Sequence, residues 1–413
     1  DRCMSQWGAK KAQFVTISPA PPPRPVWGKL TIILFLGLLW LPTLDYFFKL
    51  DHARAPVENR LLAKSPQLQG LKQTQVFLAG VENYFNDHFG FRKRLIRWNH
   101  HWKRQLFHDS GSQEVLLGRE GWMFYSGCQM VEHCRREMAW TPQELEHWRQ
   151  LIEMRRDWLQ ERGIKYLFVL APDKHSVYPE YLPEWLQPGS KPSKVEQLVD
   201  YMKAHSTVEM LDLRPSLIQA KQSRVDYLTT DTHWNLFGGF VAYRAMLEAL
   251  GGQLPGLAPL PPDVYEWKLV SHPGGDLATL MGNKEAYPEK QAVQPAALRP
   301  LPQFEVLYDS ARFPHPGAAE FAPRYTFNDK ASGKAIFFRD SFANSWFAYL
   351  GQHFKEVIYI WHYEWDRSLI EREKPDVVID EMVERFFNLQ DPVALACKDQ
   401  SSGARTNSLQ ALR

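Results

Sequence analysis

The chain has 413 residues, of which 44% are apolar and 23% charged, with a formal net charge of +2. That length holds one large domain or two ordinary ones with an appendage, and the balance is normal for a globular protein. Near-neutral charge with no basic stripe interleaved with aromatics argues against a nucleic-acid binder, while 15 Trp, 16 Tyr and 24 Phe suit a core and a cleft that stacks on sugar rings.

Residues 19–25 (PAPPPRP) form a stiff, extended lead-in. Residues 30–44 are uncharged, and 26–48 is long enough to cross a bilayer despite Lys29 and Asp45. Trp27, Trp40, Tyr46 and Phe47 suit its two interfaces. We read a transmembrane signal anchor over 26–48, preceded by a cytoplasmic tail at 1–25. A cleaved signal peptide fits less well, because the small-x-small run Ala53-Arg54-Ala55 lies far past the apolar stretch and is followed by Pro56. Residues 49–110 read as a helical stalk, with apolar residues at helical spacing over 77–85 and again through Trp98, Trp102 and Leu106.

A globular domain spans 111–390. Residues 115–125 read as a hairpin, with apolar runs either side of a Gly-bounded turn. Cys128 and Cys134 stand six apart among turn formers and are expected to close a small disulfide loop in an oxidising compartment. Thr141-Pro142-Gln143-Glu144 is a helix start: a Thr cap, Pro at the first helical position, and Glu to complete the capping box. The helix carries Leu145, Trp148, Ile152, Trp158 and Leu159 inward and ends near Gly163. Strands follow at 165–171 and 208–213, then a helix at 236–250. Residues 252–332 are Pro-rich and read as an irregular insertion or lid with some strands. Residues 334–338 (KAIFF) are a buried strand and 342–350 a helix closed by Gly351. A strand at 356–361 and a last strand-to-helix unit from 376 follow, and 391–413 is a polar tail. Strands alternating with helices at this spacing predict a three-layer α/β domain with a parallel sheet, whose sites form beyond the carboxyl ends of strands.

Asp231-Thr232-His233-Trp234 and Arg339-Asp340-Ser341-Phe342 together hold a carboxylate, an imidazole and a hydroxyl, the parts of a serine nucleophile and its base. Ser341 falls at a strand-to-helix turn, where the hydroxyl is exposed and the free N–H groups of the helix start can stabilise an oxyanion. The N–H of Ser341 or of Phe342 is the expected donor. Against this, serine is also a preferred helix cap. Lys174 and Arg339 lie on predicted strand-end loops and, with Trp234, are candidate substrate contacts. A metal reading of Asp173, His175, Asp231 and His233 rests on two Asp-x-His pairs whose geometry no spacing fixes, and we expect neither metal nor cofactor.

These segments resemble, in order, the alginate O-acetyltransferase family, the AlgJ/AlgX-like proteins with an SGNH-hydrolase-type domain. The matching pieces are the N-terminal anchor, Glu58-Asn59-Arg60, Asp87-His88-Phe89-Gly90-Phe91-Arg92, the 118–125 hairpin, the 172–183 loop, the two segments holding Asp231, His233 and Ser341, and the 374–386 ending. They cover roughly residues 55–388. The resemblance implies an SGNH-hydrolase-like fold with Ser341 as nucleophile, His233 as general base and Asp231 as the group that orients it. It also implies acetyl transfer to an exopolysaccharide, alginate or similar, through an acetyl-serine. The catalytic domain would be periplasmic, on a single-pass inner-membrane anchor, and a membrane-bound O-acyltransferase would supply the acetyl group. The polar tail is too short for a carbohydrate-binding module, so the expectation is the anchored type. A polysaccharide acetylesterase would use the same three residues with water as acceptor. A non-catalytic polysaccharide-binding assembly protein would use Ser341 only as a cap.

Overall fold

The structure is a computed structural model, and it describes residues 25–50, 63–66, 74–92, 94, 95, 98, 112–282, 284–313 and 321–410. The chain divides into two compact units, residues 1–54 with 60–95 and residues 55–59 with 96–413.

In the first unit, helix Pro25–Phe48 takes the bounds expected of the anchor, and its side chains Ile32, Ile33, Leu34 and Phe35 are exposed. Among the described residues no helix is long and apolar enough to cross a membrane. The expected anchor thus matches a helix in its bounds but not a complete span over the described side chains, which omit those of residues 25–28 and 46. A second helix, Thr74–His88, occupies part of the expected stalk. The turn after it docks on the first: Phe91 N–H donates to Asp45 at 2.9 Å, and a Cβ on Gly90 would come within 2.1 Å of the Pro42 carbonyl. The cytoplasmic tail, Glu58-Asn59-Arg60 and most of the remaining stalk lie outside the described residues.

The second unit begins with the expected hairpin, β1 (Val115–Leu117) against antiparallel β2 (Met123–Tyr125). The Thr141 capping box forms as read: Thr141 accepts from Glu144 N–H at 3.2 Å, and the Glu144 carboxylate accepts from Thr141 N–H at 2.8 Å. The helix runs Pro142–Gln160, and Gly163, at φ +72°, makes the turn into β3 (Lys165–Ala171). The remaining strands are β4 (Met210–Asp212), β5 (Tyr265–Leu269), β6 (Val293–Ala297), β7 (Glu305–Leu307), β8 (Arg324–Phe327), β9 (Lys334–Phe338), β10 (Glu356–Ile360) and β11 (Val377–Val383).

The main sheet has the order β4-β3-β11-β9-β10-β8-β7. Five strands are parallel, as expected, but β8 and β7 add an antiparallel edge, so the sheet is mixed. The reason lies in chain length. β8 lies beside β10, and only residues 328–333 join it to β9, too few for the crossover that a strand parallel to β9 and β10 requires. Part of the segment read as an irregular lid is therefore sheet edge, and β5 with β6 forms a separate hairpin.

Alternate side chains of the central strands feed two cores. Leu167, Val169, Phe337 and Ile379 pack under helix Leu236–Gly251, whereas Phe168, Ile336, Phe338 and Val378 pack under helices Pro142–Gln160, Lys194–His205 and Arg367–Glu373. Both sheet faces are covered, which is why the strands read as continuous apolar runs. A buried ionic tie closes the second face: Arg155 donates to Asp380 on β11 and to Asp399 on the C-terminal helix Pro392–Gln410, each at 2.8 Å.

Candidate active site

Two loops at the carboxyl edge of the sheet meet at one hydroxyl. The first precedes helix Leu236–Gly251, which Asn235 caps by accepting the Gly238 N–H at 3.0 Å. The second follows β9, where Asp340 accepts the Phe342 N–H at 2.9 Å. Asp340, not Ser341, is therefore the cap, and the Ser341 hydroxyl is released from that task. It lies 2.7 Å from His233 Nε2, while His233 Nδ1 lies 2.6 Å from Asp231 Oδ1. The two segments singled out in the sequence thus bring their carboxylate, imidazole and hydroxyl into one hydrogen-bonded chain. With Nδ1–H donated to the carboxylate, Nε2 carries the lone pair that faces Ser341.

The expected helix after Ser341 is instead a 3-10 segment, Ser341–Trp346, followed by a short α-turn, Phe347–Leu350. Ser345 explains part of the difference. Its hydroxyl accepts from Trp234 Nε1 at 2.9 Å and donates to the Phe342 carbonyl, an acceptor that a regular α-helix would use itself. Because the Phe342 N–H is spent on Asp340, it is not the oxyanion donor expected. The N–H of Ser341, at the first position of the turn, has no acceptor within the helix.

The Asp231 carboxylate is fully occupied. Oδ1 also accepts the His233 N–H at 3.0 Å, and Oδ2 accepts the Asp276 N–H at 2.9 Å. Gly275 permits that approach, because a Cβ there would lie 2.4 Å from Asp231 Oδ2. Asp276 in turn accepts from both the N–H and the hydroxyl of Thr232, at 2.7 and 2.6 Å, and its carboxylate sits 3.7 Å from His233 Nδ1. Glu289 holds the preceding residues, accepting from the N–H and hydroxyl groups of Thr229 and Thr230 at 2.6–3.0 Å. Both acids come from the segment read as a lid. Gly274-Gly275-Asp276 was the available signal for the first, since paired glycines before an acid suit a close approach at a helix start. Glu289 carried no such signal.

The serine loop is anchored to the neighbouring strand. Asp340 accepts from Tyr363 OH at 2.6 Å and Val383 N–H at 2.8 Å, and its own N–H donates to Glu381 on β11 at 2.9 Å. Burial, with the negative Asp340 beside it, drives the Glu381 pKa well above the carboxylate range and favours the neutral acid. Arg385, paired with Asp173, lies over the Phe342 ring at 5.2 Å and places a fixed positive charge near the site.

Burial opposes charge on His233, but the hydrogen bond and charge of Asp231, with help from Asp276, outweigh it and raise the imidazole pKa above its ordinary value. Burial likewise opposes the Asp231 carboxylate, yet the His233 and backbone bonds hold its pKa well below the usual range. The pair is thus an ionised carboxylate orienting an imidazole whose basicity it raises.

Three expected substrate contacts turn out to be structural. Lys174 is buried, and its ammonium donates to the carbonyls of Leu228, Thr229 and Asp231 at 2.9, 3.1 and 2.6 Å. Arg339 is buried, with its guanidinium 4.1 Å from the Trp361 ring centroid and donating to Asn344 at 2.7 Å. Trp234 is buried edge-on against Phe342 and is tied to Ser345. Cys128 and Cys134 are free thiols rather than a disulfide. The short helix Met130–Cys134 separates them, burying Cys134 in the core while Cys128 pairs with Tyr125. Asp173 and His175 do not join Asp231 and His233 in one cluster. Among the described residues, the groups spaced to hold a cation are Asp231 with His233 and Asp276, and His133 with His175 and Glu384.

Residues 115–314 match the family model of the SGNH hydrolase-like domain of acetyltransferase AlgX. A probable alginate O-acetylase AlgJ of Pseudomonas putida is 31% identical over 149 residues, 36% of this chain and 37% of that protein. Its counterpart in Pseudomonas aeruginosa is 26% identical over 183 residues, 44% and 41% of the two chains. The chain thus spans about two fifths of the length of the curated relatives it matches. Among solved structures, Bacillus cereus PatB1 aligns with a TM-score of 0.48 at 17% identity, over 67% of this chain and 99% of that one. The O-acetyltransferase domain of Pseudomonas putida AlgJ aligns with a TM-score of 0.42 at 21% identity, over 70% and 99%. By its matched domain and its relatives, the chain carries a domain similar to the SGNH hydrolase-like domain of the AlgJ/AlgX-like proteins.

Proposed function

We propose that this protein is an O-acetyltransferase that moves acetyl groups onto hydroxyls of an exopolysaccharide, alginate or a similar polymer. The observation that carries the reading is the hydrogen-bonded chain from Ser341 through His233 to Asp231. In the first half-reaction Ser341 Oγ attacks the acetyl carbonyl of the donor while His233 Nε2 takes its proton. The tetrahedral intermediate, its oxyanion met by the Ser341 N–H, expels the donor's leaving group, which receives that proton from His233. In the second half a sugar hydroxyl gives its proton to His233 and attacks the acetyl-serine, and the intermediate collapses to the acetylated sugar as His233 returns that proton to the departing Ser341 oxygen. Asp231 holds the imidazole in the tautomer that both halves need. The cap at Asp340 speaks against the assembly-protein reading, in which Ser341 would itself be the cap. The direct test is to mix the chain with an activated acetyl ester and follow it by mass spectrometry. One acetyl group should appear on Ser341 and move to added polymer. Release to water alone, with polymer ignored, would make the protein an esterase.

A base with a raised pKa sets the pH dependence. Protonated His233 cannot accept the Ser341 proton, so kcat/KM should fall on the acid side with a midpoint above the ordinary histidine value of about 6.5. Asp231→Asn should move that midpoint down as well as slowing the reaction, because it removes the charge that raises it. An acid limb at or below the ordinary value would contradict this electrostatic account.

The same reading places the catalytic unit in the periplasm on an inner-membrane anchor over 26–48, with a membrane-bound O-acyltransferase as acetyl source. The uncharged run of 30–44 and the exposed apolar side chains of helix Pro25–Phe48 support it. Alkaline phosphatase fused after residue 60 should be active. A silent phosphatase alongside an active cytoplasmic reporter would reverse the topology.

A further inference from the structure

His133 and His175 line a separate cavity of about 350 Å³, and three chain segments bring them together with Glu384, buried behind them. His133 comes from helix Met130–Cys134, His175 from the turn Lys174–Val177, and Glu384 from the first position after β11. None of Asp231, His233 and Ser341 lines this cavity. We propose that these three side chains form a binding site for a single divalent transition-metal ion, Zn2+ being the best fit, with a fourth position open to the cavity.

His175 is the most direct sign. It is 7% exposed, it lines the cavity, and its Nε2 is buried without a hydrogen-bond partner. An unpaired buried ring nitrogen is costly unless something occupies its lone pair. His133 and Glu384 are 4% and 0% exposed, and each offers one ligand atom within 4.8 Å of the others and of His175. The donor set, two imidazoles and a carboxylate, is one that zinc accepts with a fourth ligand from solvent. His133 Nε2 and Glu384 Oε1 now share a proton at 2.9 Å. Replacing that proton by a cation bonded at about 2.0–2.1 Å to each needs a separation of about 3.3 Å, a small widening.

The outer groups suit the same ion. A His133 that binds metal through Nε2 carries its proton on Nδ1 and needs an acceptor there. The Asn388 amide lies 3.5 Å from Nδ1, and its Oδ1 is buried and unpaired. Turning that amide over supplies the acceptor, since its oxygen and nitrogen ends have the same shape. The other Glu384 oxygen is fixed by the Asp173 N–H at 3.0 Å. The guanidiniums nearby leave no unbalanced positive charge, since Arg136 pairs with Glu196 at 3.2 Å and Arg214 with Asp212 at 2.7 Å. A bound ion would clamp the loop after β3 to the end of β11, where Arg385 holds Asp173.

The test uses the full chain, stripped with a chelator and titrated with Zn2+. One equivalent should bind and raise Tm, and Co2+ in its place should give the visible absorption of a four-coordinate ion. His175→Gln and His133→Gln should each weaken binding by more than the roughly 10–100-fold that loss of an outer-shell partner costs, whereas Asp276→Asn should leave it unchanged. Anomalous scattering at the zinc edge from wild-type crystals should place the ion between the three side chains, independently of whether a variant folds. No stoichiometric uptake by folded wild-type protein overturns the proposal. So does an ion found between Asp231, His233 and Asp276, or binding that survives in a folded His175→Gln chain.

Discussion

Replacing Ser341 by Ala, or His233 by Ala, should lower acetyl transfer by about four to six powers of ten, the range seen when a nucleophile or its base is removed. The geometry explains why both losses are so large. Ser341 Oγ has one partner placed to take its proton, His233 Nε2 at 2.7 Å, and an unactivated hydroxyl is a poor nucleophile at neutral pH. The two losses should not add. Once either member is gone the other has nothing to act with, so the double variant should match the worse single one. Folding should survive in both. Ser341 caps nothing, and without the imidazole Asp231 keeps its bonds to the backbone N–H groups of residue 233 and Asp276. Single-turnover transfer from an acetyl ester to polymer, measured beside circular dichroism, checks the result. A folded Ser341→Ala chain that retains activity within tenfold of wild type would rule out the acetyl-serine route.

Much of this arrangement was legible in the sequence, for physical reasons that differ from element to element. The strand of Lys334–Phe338 was readable because both its faces are buried beyond the first residue, so that Ala335 to Phe338 had to be apolar. The helix start at Thr141 was readable because a capping box needs only four adjacent residues. The Asp231–His233 pair was readable because two residues suffice for the carboxylate to reach both the backbone N–H and the ring of the histidine. What stayed hidden depends on contacts between distant residues. Glu289 reaches Thr229 and Thr230 across about sixty positions of chain that have no regular period. The antiparallel edge of β7 and β8 follows from the short connection of residues 328–333 between β8 and β9, not from any pattern within those strands. The role of Lys174 was misread for a related cause. A lysine on a strand-end loop suggests an exposed cation, and nothing local reveals that three carbonyls from residues 228–231 close around it.

That enclosure makes Lys174 the residue whose loss should do most harm without touching substrate. Its ammonium satisfies the carbonyls of Leu228, Thr229 and Asp231, and it lies 5.5–5.6 Å from the centroids of the Phe124 and Trp122 rings. Lys174→Met keeps the aliphatic stem but leaves those carbonyls without their charged donor. Each unsatisfied buried acceptor costs about 1–3 kcal/mol, partly offset because the buried cation was itself poorly solvated. A net loss of about 2 kcal/mol corresponds to a Tm lower by roughly 4–8 °C for a domain of this size. The loop these carbonyls belong to carries Asp231, so kcat should fall by about 10²-fold, the scale of a misplacement near 1 Å, while KM changes little. A substrate contact would show the reverse, a raised KM with kcat preserved. Burial, working against the nearby carboxylates Asp231, Asp276 and Glu289, lowers the Lys174 pKa to about 8. In the unfolded chain the pKa returns to about 10.4, so between those values the unfolded state binds the extra proton and folding gains as pH rises. The variant lacks that gain, and the stability gap between it and wild type should widen from pH 8 to pH 10. A gap that is flat across that window would mean Lys174 is not buried as a cation. A raised KM would return it to the substrate.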